Sequence, residues 1–161
     1  MFWIITIAVI ACDLVSKYFI NDLMFLETNE HVIPGLIDFN YIHNDGAAWG
    51  MLGGKQILLI ILTSAIMLAI IGYVIVQGKK ISVLERISLA LVVGGGIGNL
   101  VGRITDGYVI DFIKFAFYPD FPRFNVADIA ITVGCVLLLI SVLKSDFKPE
   151  KKSDGEIHIQ N

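Results

Sequence analysis

Two aspartates, Asp111 and Asp128, stand at the two ends of one short segment and border long apolar stretches of the chain. The same region holds Asn99, Arg103 and Asn125. A carboxylate beside hydrocarbon is energetically costly, so acids at the edge of apolar segments usually serve a function. These two side chains are therefore the first candidates for chemistry.

Two carboxyl groups that share a site cannot both ionise easily, so one pKa rises and the pair holds one proton near neutral pH. The ionised member can take a proton from water while the protonated member donates to a peptide carbonyl oxygen. A low local dielectric strengthens this coupling. The pair Asp111 and Asp128 therefore predicts an aspartic peptidase that needs neither a metal ion nor another cofactor.

Each of these residues also has a simpler interpretation. Asn125 and Asp128 have the spacing of a helix N-terminal cap, in which both side chains accept hydrogen bonds from free backbone N–H groups. Asp111 alone could be an interfacial acid that pairs with Lys114 or Arg103. Capping and catalysis are compatible, so the cap does not exclude the peptidase.

The other polar residues of the apolar segments have spacings that allow structural roles. Asp13 and Lys17 lie four residues apart and could neutralise each other within one helix. Asn99 and Arg103 have the same spacing, so Arg103 could simply extend to the lipid headgroups. An alternative function is a small dimeric proton-coupled membrane transporter in which Asp13 carries the proton.

The composition is that of a membrane protein. Of 161 residues, 56% are hydrophobic and 17% charged, whereas soluble domains average about 45–50% and about 25%. The net charge is only −3, so nucleic acid is not an expected partner. Cys12 and Cys135 fall in apolar segments and are predicted to be buried packing residues.

A membrane-spanning helix needs about 20 mostly apolar residues. Four segments qualify, at about residues 1–20, 57–76, 86–103 and 126–143. The third is rich in glycine, which predicts close packing against its neighbours. The expected fold is membrane all-α, with a four-helix peptidase domain over residues 1–144 and a polar cytoplasmic tail over 145–161.

Loop charges orient these helices, because Lys and Arg are enriched on the cytoplasmic side. The connection near residues 77–86 and the tail together hold seven Lys or Arg, against four on the opposite side. Both termini are therefore predicted to be cytoplasmic, with outer loops at about residues 21–55 and 104–125. The two acids then lie at the outer face of the membrane.

The first outer loop contains a strand pattern. Ile37, Phe39, Tyr41 and His43 alternate with Asp38, Asn40 and Ile42, between turn residues at 34–35 and 44–46. This pattern predicts a small β-sheet in the first extracytoplasmic loop, lying on the membrane surface. The aromatic residues of segment 108–118 are predicted to be anchors at the headgroup layer.

Five spaced motifs, in order along most of the chain, carry a family resemblance. They are Asp13-x-x-x-Lys17, Asn44-Asp45-Gly46-Ala47-Ala48-Trp49-Gly50, Gly98-Asn99-x-x-x-Arg103, Gly107-x-Val109-Ile110-Asp111-Phe112 and Phe121-Pro122-x-Phe124-Asn125-Val126-Ala127-Asp128. Together they resemble bacterial lipoprotein signal peptidase (signal peptidase II). Any one motif alone is weak, but the ordered set is specific.

The resemblance implies a multi-pass aspartic endopeptidase of the bacterial cytoplasmic (inner) membrane. It would remove the signal peptide from diacylglyceryl-modified prolipoproteins, cleaving before the lipidated cysteine, with Asp111 and Asp128 as the catalytic residues. The implied partners are these precursors and membrane lipids, and we expect the chain to act as a monomer. The residues implied to bind substrate or to support the site are Asn44, Asn99, Arg103, Asn125, Asp13, Lys17 and Trp49.

The chain departs from this family at one position. The family usually has Asp-Arg where this chain has Gly102-Arg103. The missing acid is not one of the expected catalytic pair, but its loss raises the question of what holds Arg103. We hypothesise that Asp106 partly replaces it, in which case Asp106→Asn should reduce activity sharply. A non-catalytic scaffold is a third interpretation that Gly102 allows.

Overall fold

The computed structural model describes residues 1–46, 51–78 and 80–146. Four helices dominate it: α1 (Phe2–Leu23), α2 (Gln56–Gln77), α3 (Val83–Thr105) and α4 (Val126–Asp146). All four are long and apolar enough to cross a membrane. The prediction of a four-helix membrane fold is thus confirmed. Of the predicted tail, residues 147–161 lie outside the described residues, as does Trp49.

Helix α3 lies at the centre of the bundle. About half of its spanning window (56%) is buried, compared with 11–22% for the other three helices. Its glycines permit this close packing. A methyl group added at Gly95 would meet the carbonyl oxygen of Ala127 on α4 and lie 2.8 Å from Cγ1 of Ile131. Small residues at such positions let helix backbones approach closely.

We expect Gly95→Ala to lower the free energy of unfolding by about 1–3 kcal/mol, because the added methyl group overpacks the contact with α4. Thermal unfolding in detergent micelles would measure this. Gly72→Ala on α2 is the matched control, since nothing lies within 4 Å of the methyl group added there. Equal unfolding temperatures for the two variants would contradict the close α3–α4 packing.

The sheet has three antiparallel strands in the order β1 (Asn29–Ile33), β2 (Ile37–Asn44) and β3 (Val109–Phe115). The predicted sheet of the first outer loop is confirmed by β1 and β2. The third strand was not predicted, because its aromatic residues were interpreted only as membrane anchors. In the observed register Ile42 lies opposite Asp111. This pairing brings the connection between α3 and α4 against the connection between α1 and α2.

The sheet packs over the end of the bundle at which α1 finishes and α4 begins. Tyr41 and Phe112 of the sheet are buried against Ile20 of α1, and Val126 of α4 borders this cluster. The hydroxyl group of Tyr41 also donates a hydrogen bond of 2.6 Å to Oδ1 of Asn21. These contacts fix β2 and β3 relative to the start of α4.

The prediction for the two cysteines was wrong. Cys12 and Cys135 are both exposed on the surface of their helices. A spanning helix presents apolar side chains to lipid as well as to its neighbours. An apolar sequence environment therefore does not distinguish a buried cysteine from one that faces hydrocarbon.

Candidate active site

Asp111 lies on β3 with its side chain almost wholly buried, at 2% exposure. Its Oδ2 accepts a hydrogen bond of 2.7 Å from Nδ2 of Asn44, and its Oδ1 accepts one of 2.7 Å from Nδ2 of Asn125. Burial raises the pKa of Asp111 to about 7, and the negative charge of Asp128 adds to this rise. The two amide donors oppose it. Asp111 can therefore hold a proton near neutral pH.

Asp128 lies in the first turn of α4, where it forms a capping box with Asn125. The backbone N–H of Asn125 donates to Oδ2 of Asp128 (3.1 Å), and the backbone N–H of Asp128 donates to Oδ1 of Asn125 (3.0 Å). Such reciprocal bonds satisfy N–H groups that a helix start leaves free. The other oxygen, Oδ1, accepts a bond of 2.7 Å from Nδ2 of Asn99. Asp128 thus caps its helix and also faces Asn99.

Asn125 joins the two acids. Its side chain is fully buried. Nδ2 lies within hydrogen-bonding distance of Oδ1 of Asp111 (2.7 Å), Oδ1 of Asn99 (3.0 Å) and the carbonyl oxygen of Ile110 (3.2 Å). Since the same residue bonds Asp128, a single side chain connects both carboxyl groups. The structure therefore brings together Asp111, Asp128, Asn99 and Asn125.

Asp13 and Lys17 of α1 join the same hydrogen-bond network. Nζ of Lys17 donates to Oδ2 of Asp13 (2.7 Å) and to Oδ1 of Asn99 (2.9 Å). Oδ1 of Asp13 accepts the backbone N–H of Ala127 at 3.0 Å. The two residues neutralise each other, as their spacing suggested. They also orient Asn99 and hold the first turn of α4.

Arg103 binds the segment that directly follows β2. Its Nη2 donates to the carbonyl oxygen of Gly46 at 3.1 Å, while the backbone N–H of Gly46 donates to Oδ1 of Asn44 at 2.9 Å. The Nε of Arg103 is buried and has no hydrogen-bond partner within the described ranges. Arg103 therefore fixes the segment that follows Asn44.

The structure does not place Asp106 against Arg103. Asp106 lies beyond the end of α3, where its Oδ2 accepts a hydrogen bond of 2.9 Å from the hydroxyl group of Thr105. The backbone N–H of Asp106 still donates to the carbonyl oxygen of Gly102 at 2.8 Å, but no ion pair joins Asp106 to Arg103 among the described residues. A methyl group added at Gly102 would lie 2.9 Å from the carbonyl oxygen of Tyr108. In this chain the start of β3 thus packs directly on Gly102.

Both acids line one cavity of about 460 Å³. Its polar wall also contains Asn44, Asn99 and Arg103. The remaining wall is mostly apolar and comes from β3, the loop before α4 and the first turns of α4. Its residues are Val109, Phe115, Phe121, Pro122, Arg123, Phe124, Ile129, Ile131, Thr132 and Val133. A pair of coupled carboxyl groups in such a cleft is suited to hydrolysis of a bound peptide.

Sequence reasoning missed the contribution of Arg123 and of the phenylalanines to this cavity. The signal lay in the segment from 115 to 124, which is dense in aromatic residues. Among the described residues, no group of His, Cys, Asp and Glu is arranged to hold a metal ion. The polar groups that line the cavity are carboxyl, amide, guanidinium and hydroxyl groups.

Comparison with known proteins gives a consistent result. Residues 5–144 match the family described as Signal peptidase (SPase) II. Lipoprotein signal peptidase of Staphylococcus aureus strain JH9 is 33% identical over 150 residues, which is 92% of this chain and 91% of that protein. Another Staphylococcus aureus lipoprotein signal peptidase is 34% identical over 155 residues, covering 96% and 93% of the two chains.

Two solved structures are also similar, and both are described as a bacterial membrane enzyme structure by the in meso method. The one at 2.3 Å resolution has a TM-score of 0.86 and 34% identity, covering 94% of this chain and 93% of its own. The one at 1.9 Å has a TM-score of 0.80 and 34% identity, covering 89% and 92%. The extent of these matches shows that the chain belongs to the signal peptidase II family, an aspartic-type family of membrane-embedded signal peptidases.

Proposed function

We propose that this protein removes signal peptides from diacylglyceryl-modified prolipoproteins by cleaving the bond before the lipidated cysteine, with Asp111 and Asp128 as the catalytic pair. The observation that carries the proposal is the position of two carboxyl groups on one cavity wall, that of Asp111 buried and that of Asp128 half-buried, both hydrogen-bonded to Asn125. Family membership supports prolipoproteins as the substrates.

In the first step, the ionised carboxylate of the pair takes a proton from a water molecule, whose oxygen attacks the carbonyl carbon of the substrate. The protonated carboxyl group gives its proton to the carbonyl oxygen, which yields a tetrahedral diol. In the second step, the C–N bond breaks as the nitrogen receives the proton first taken from water. One diol hydroxyl group then returns a proton to the pair. The enzyme ends with one shared proton, as it began.

The asparagines support this cycle by fixing both carboxyl groups without supplying charge. Asn44 and Asn125 donate to Asp111, and Asn99 donates to Asp128. Because amide groups do not titrate, the shared proton stays on the acids. Lys17 orients Asn99 while its own charge is balanced by Asp13.

The cavity suits a substrate that is partly in lipid. Its wall continues along α4 through Ile131 and Val133, inside the helix that is apolar enough to cross a membrane. Acyl chains or the apolar part of the signal peptide can occupy this region. We propose that the site faces the outer surface, that both termini are cytoplasmic, and that one chain together with membrane lipids is sufficient for activity.

The proposal is tested by incubating the purified protein with a lipid-modified precursor and with the same precursor lacking the lipid. We expect the modified precursor to be cleaved and mass spectrometry to find the cut directly before the lipidated cysteine. Cleavage that is equally efficient without the lipid, or a cut at another bond, would contradict it. Proton uptake into vesicles that depends on Asp13, without cleavage, would instead favour the transporter.

A further inference from the structure

We propose that Arg123 is a specificity-determining residue of this cavity, which binds an acidic side chain of the substrate in the segment that follows the cleaved bond. This inference rests on the proposed peptidase function and extends it to the choice of substrate. Arg123 lines the same cavity as Asp111 and Asp128.

The backbone around Arg123 is held against the sheet. Phe124 and Ile113 of β3 exchange two backbone hydrogen bonds, of 2.8 and 3.0 Å. The segment before α4 therefore pairs with β3 at this position through an antiparallel bridge. This pairing fixes the backbone from which the side chain of Arg123 extends.

The side chain of Arg123 is fixed as well. Its Nε donates a hydrogen bond of 2.8 Å to Oδ1 of Asn40 on β2. Asn40 is 7% exposed, and its Nδ2 donates to the carbonyl oxygen of Thr28 at 3.0 Å. These bonds orient the amide of Asn40. The hydrogen bond to this amide in turn fixes the guanidinium group of Arg123 at the cavity.

Arg123 has no ion-pair partner in the described parts of the chain. Neither ion pair of these residues includes it, and its Nε donates to the neutral amide of Asn40. The half-buried guanidinium group still has its Nη donors available. Arginine binds carboxylates with two parallel hydrogen bonds, which favours an acidic ligand over a single carbonyl oxygen.

The spacing of residues along β2 gives the distance between this ligand and the cleaved bond. Asn40 supports Arg123, whereas Asn44, four residues further along β2, donates to Asp111. At a rise of about 3.3 Å per residue, the two positions are at most about 13 Å apart. An extended substrate alongside the sheet would place a residue three to four positions from the cleaved bond at Arg123.

The apolar wall of the cavity indicates on which side of the cleaved peptide bond the acidic substrate residue lies. The signal peptide is the apolar part of the precursor, and it is suited to the region of Ile131 and Val133 on α4. Arg123 lies instead on the loop that precedes α4. The acidic residue therefore belongs to the segment released with the cysteine, at the third or fourth position after the cleaved bond.

The experiment compares pairs of lipid-modified precursors with aspartate or asparagine placed in turn at the second to fifth positions after the cleaved bond. We expect aspartate at the third or fourth position to lower KM by about tenfold in the unmodified enzyme, as for a hydrogen-bonded charge pair. This preference should vanish in Arg123→Gln, so that the aspartate and asparagine precursors give equal KM values. Arg123→Glu should prefer lysine at the same position.

Lys114→Gln is the matched control, because Lys114 is a cation of β3 that does not line the cavity. An equal aspartate preference in the unmodified enzyme and Arg123→Gln would overturn the proposal. An effect of Arg123→Gln that follows the content of anionic phospholipid rather than the substrate residue would also overturn it. Failure to cleave even the asparagine precursor with the unmodified enzyme would instead refute the peptidase function itself.

Discussion

Asp111→Asn is expected to reduce cleavage of a lipid-modified precursor by about three orders of magnitude or more, and Asp128→Asn to do the same. The amide has nearly the shape of the carboxyl group but cannot hold or transfer a proton. Either change therefore breaks the proton cycle while the cavity remains. Rates of signal peptide release from purified variants would measure the loss.

The fold should survive these changes at reduced stability. Asp111 accepts hydrogen bonds from two amide donors, Asn44 and Asn125. An asparagine offers only one acceptor oxygen, so one buried donor loses its partner at a cost of about 1–3 kcal/mol. Thermal unfolding and elution as a single species would confirm that the lost activity is not a loss of structure.

Asp120→Asn serves as the matched control. Asp120 is an exposed acid in the segment between β3 and α4, so its removal changes the net charge equally. We expect its activity to equal that of the unmodified protein. Substantial cleavage by Asp111→Asn or Asp128→Asn would refute the catalytic pair. A complete loss in Asp120→Asn would show that loop charge, rather than the pair, controls the rate.

The helices and the core of the candidate site could be predicted because their signals are local or chemical. Long apolar runs identify spanning helices, and the cost of acids beside hydrocarbon makes Asp111 and Asp128 conspicuous. The capping box of Asn125 and Asp128 follows from a spacing of three residues. The i,i+4 pair of Asp13 and Lys17 is equally local.

The features that sequence reasoning missed depend on contacts between distant segments. Strand β3 pairs with β2 across more than sixty residues, and its aromatic residues fit an interfacial anchor equally well by composition. The support of Arg123 by Asn40 spans 83 residues. The expected support of Arg103 by Asp106 stays a prediction, since no ion pair joins the two side chains among the described residues. The register of the strands and the ends of the helices decide such contacts, and a local sequence pattern specifies neither.

The second large effect that we expect is a fall of kcat/KM at alkaline pH. The pKa of Asp111 is raised from 3.8 to about 7, so the pair loses its shared proton as the pH rises through that value. The doubly ionised pair cannot donate to the carbonyl oxygen. We therefore expect kcat/KM to fall about tenfold for each pH unit above about 7, which makes a hundredfold loss near pH 9.

Protonation of Asp111 also stabilises the folded protein, because its pKa is higher in the folded state than in the unfolded chain. This contribution is fully present below pH 3.8 and is lost as the pH rises through about 7. The profile must therefore be measured with an unfolding control at each pH. A fall in rate while the protein remains folded reports on the pair, and a fall that follows unfolding does not.

Two variants separate Asp111 from other titrating groups. The hydrogen bond from Asn44 lowers the pKa of Asp111, so Asn44→Ala should move the alkaline limb to higher pH even though the maximal rate drops. Burial lowers the pKa of His43, the neighbouring residue on β2, so His43→Gln can change only the acidic limb. An alkaline limb that stays in place in Asn44→Ala but moves in His43→Gln would mean that the proton required for cleavage is not held by Asp111.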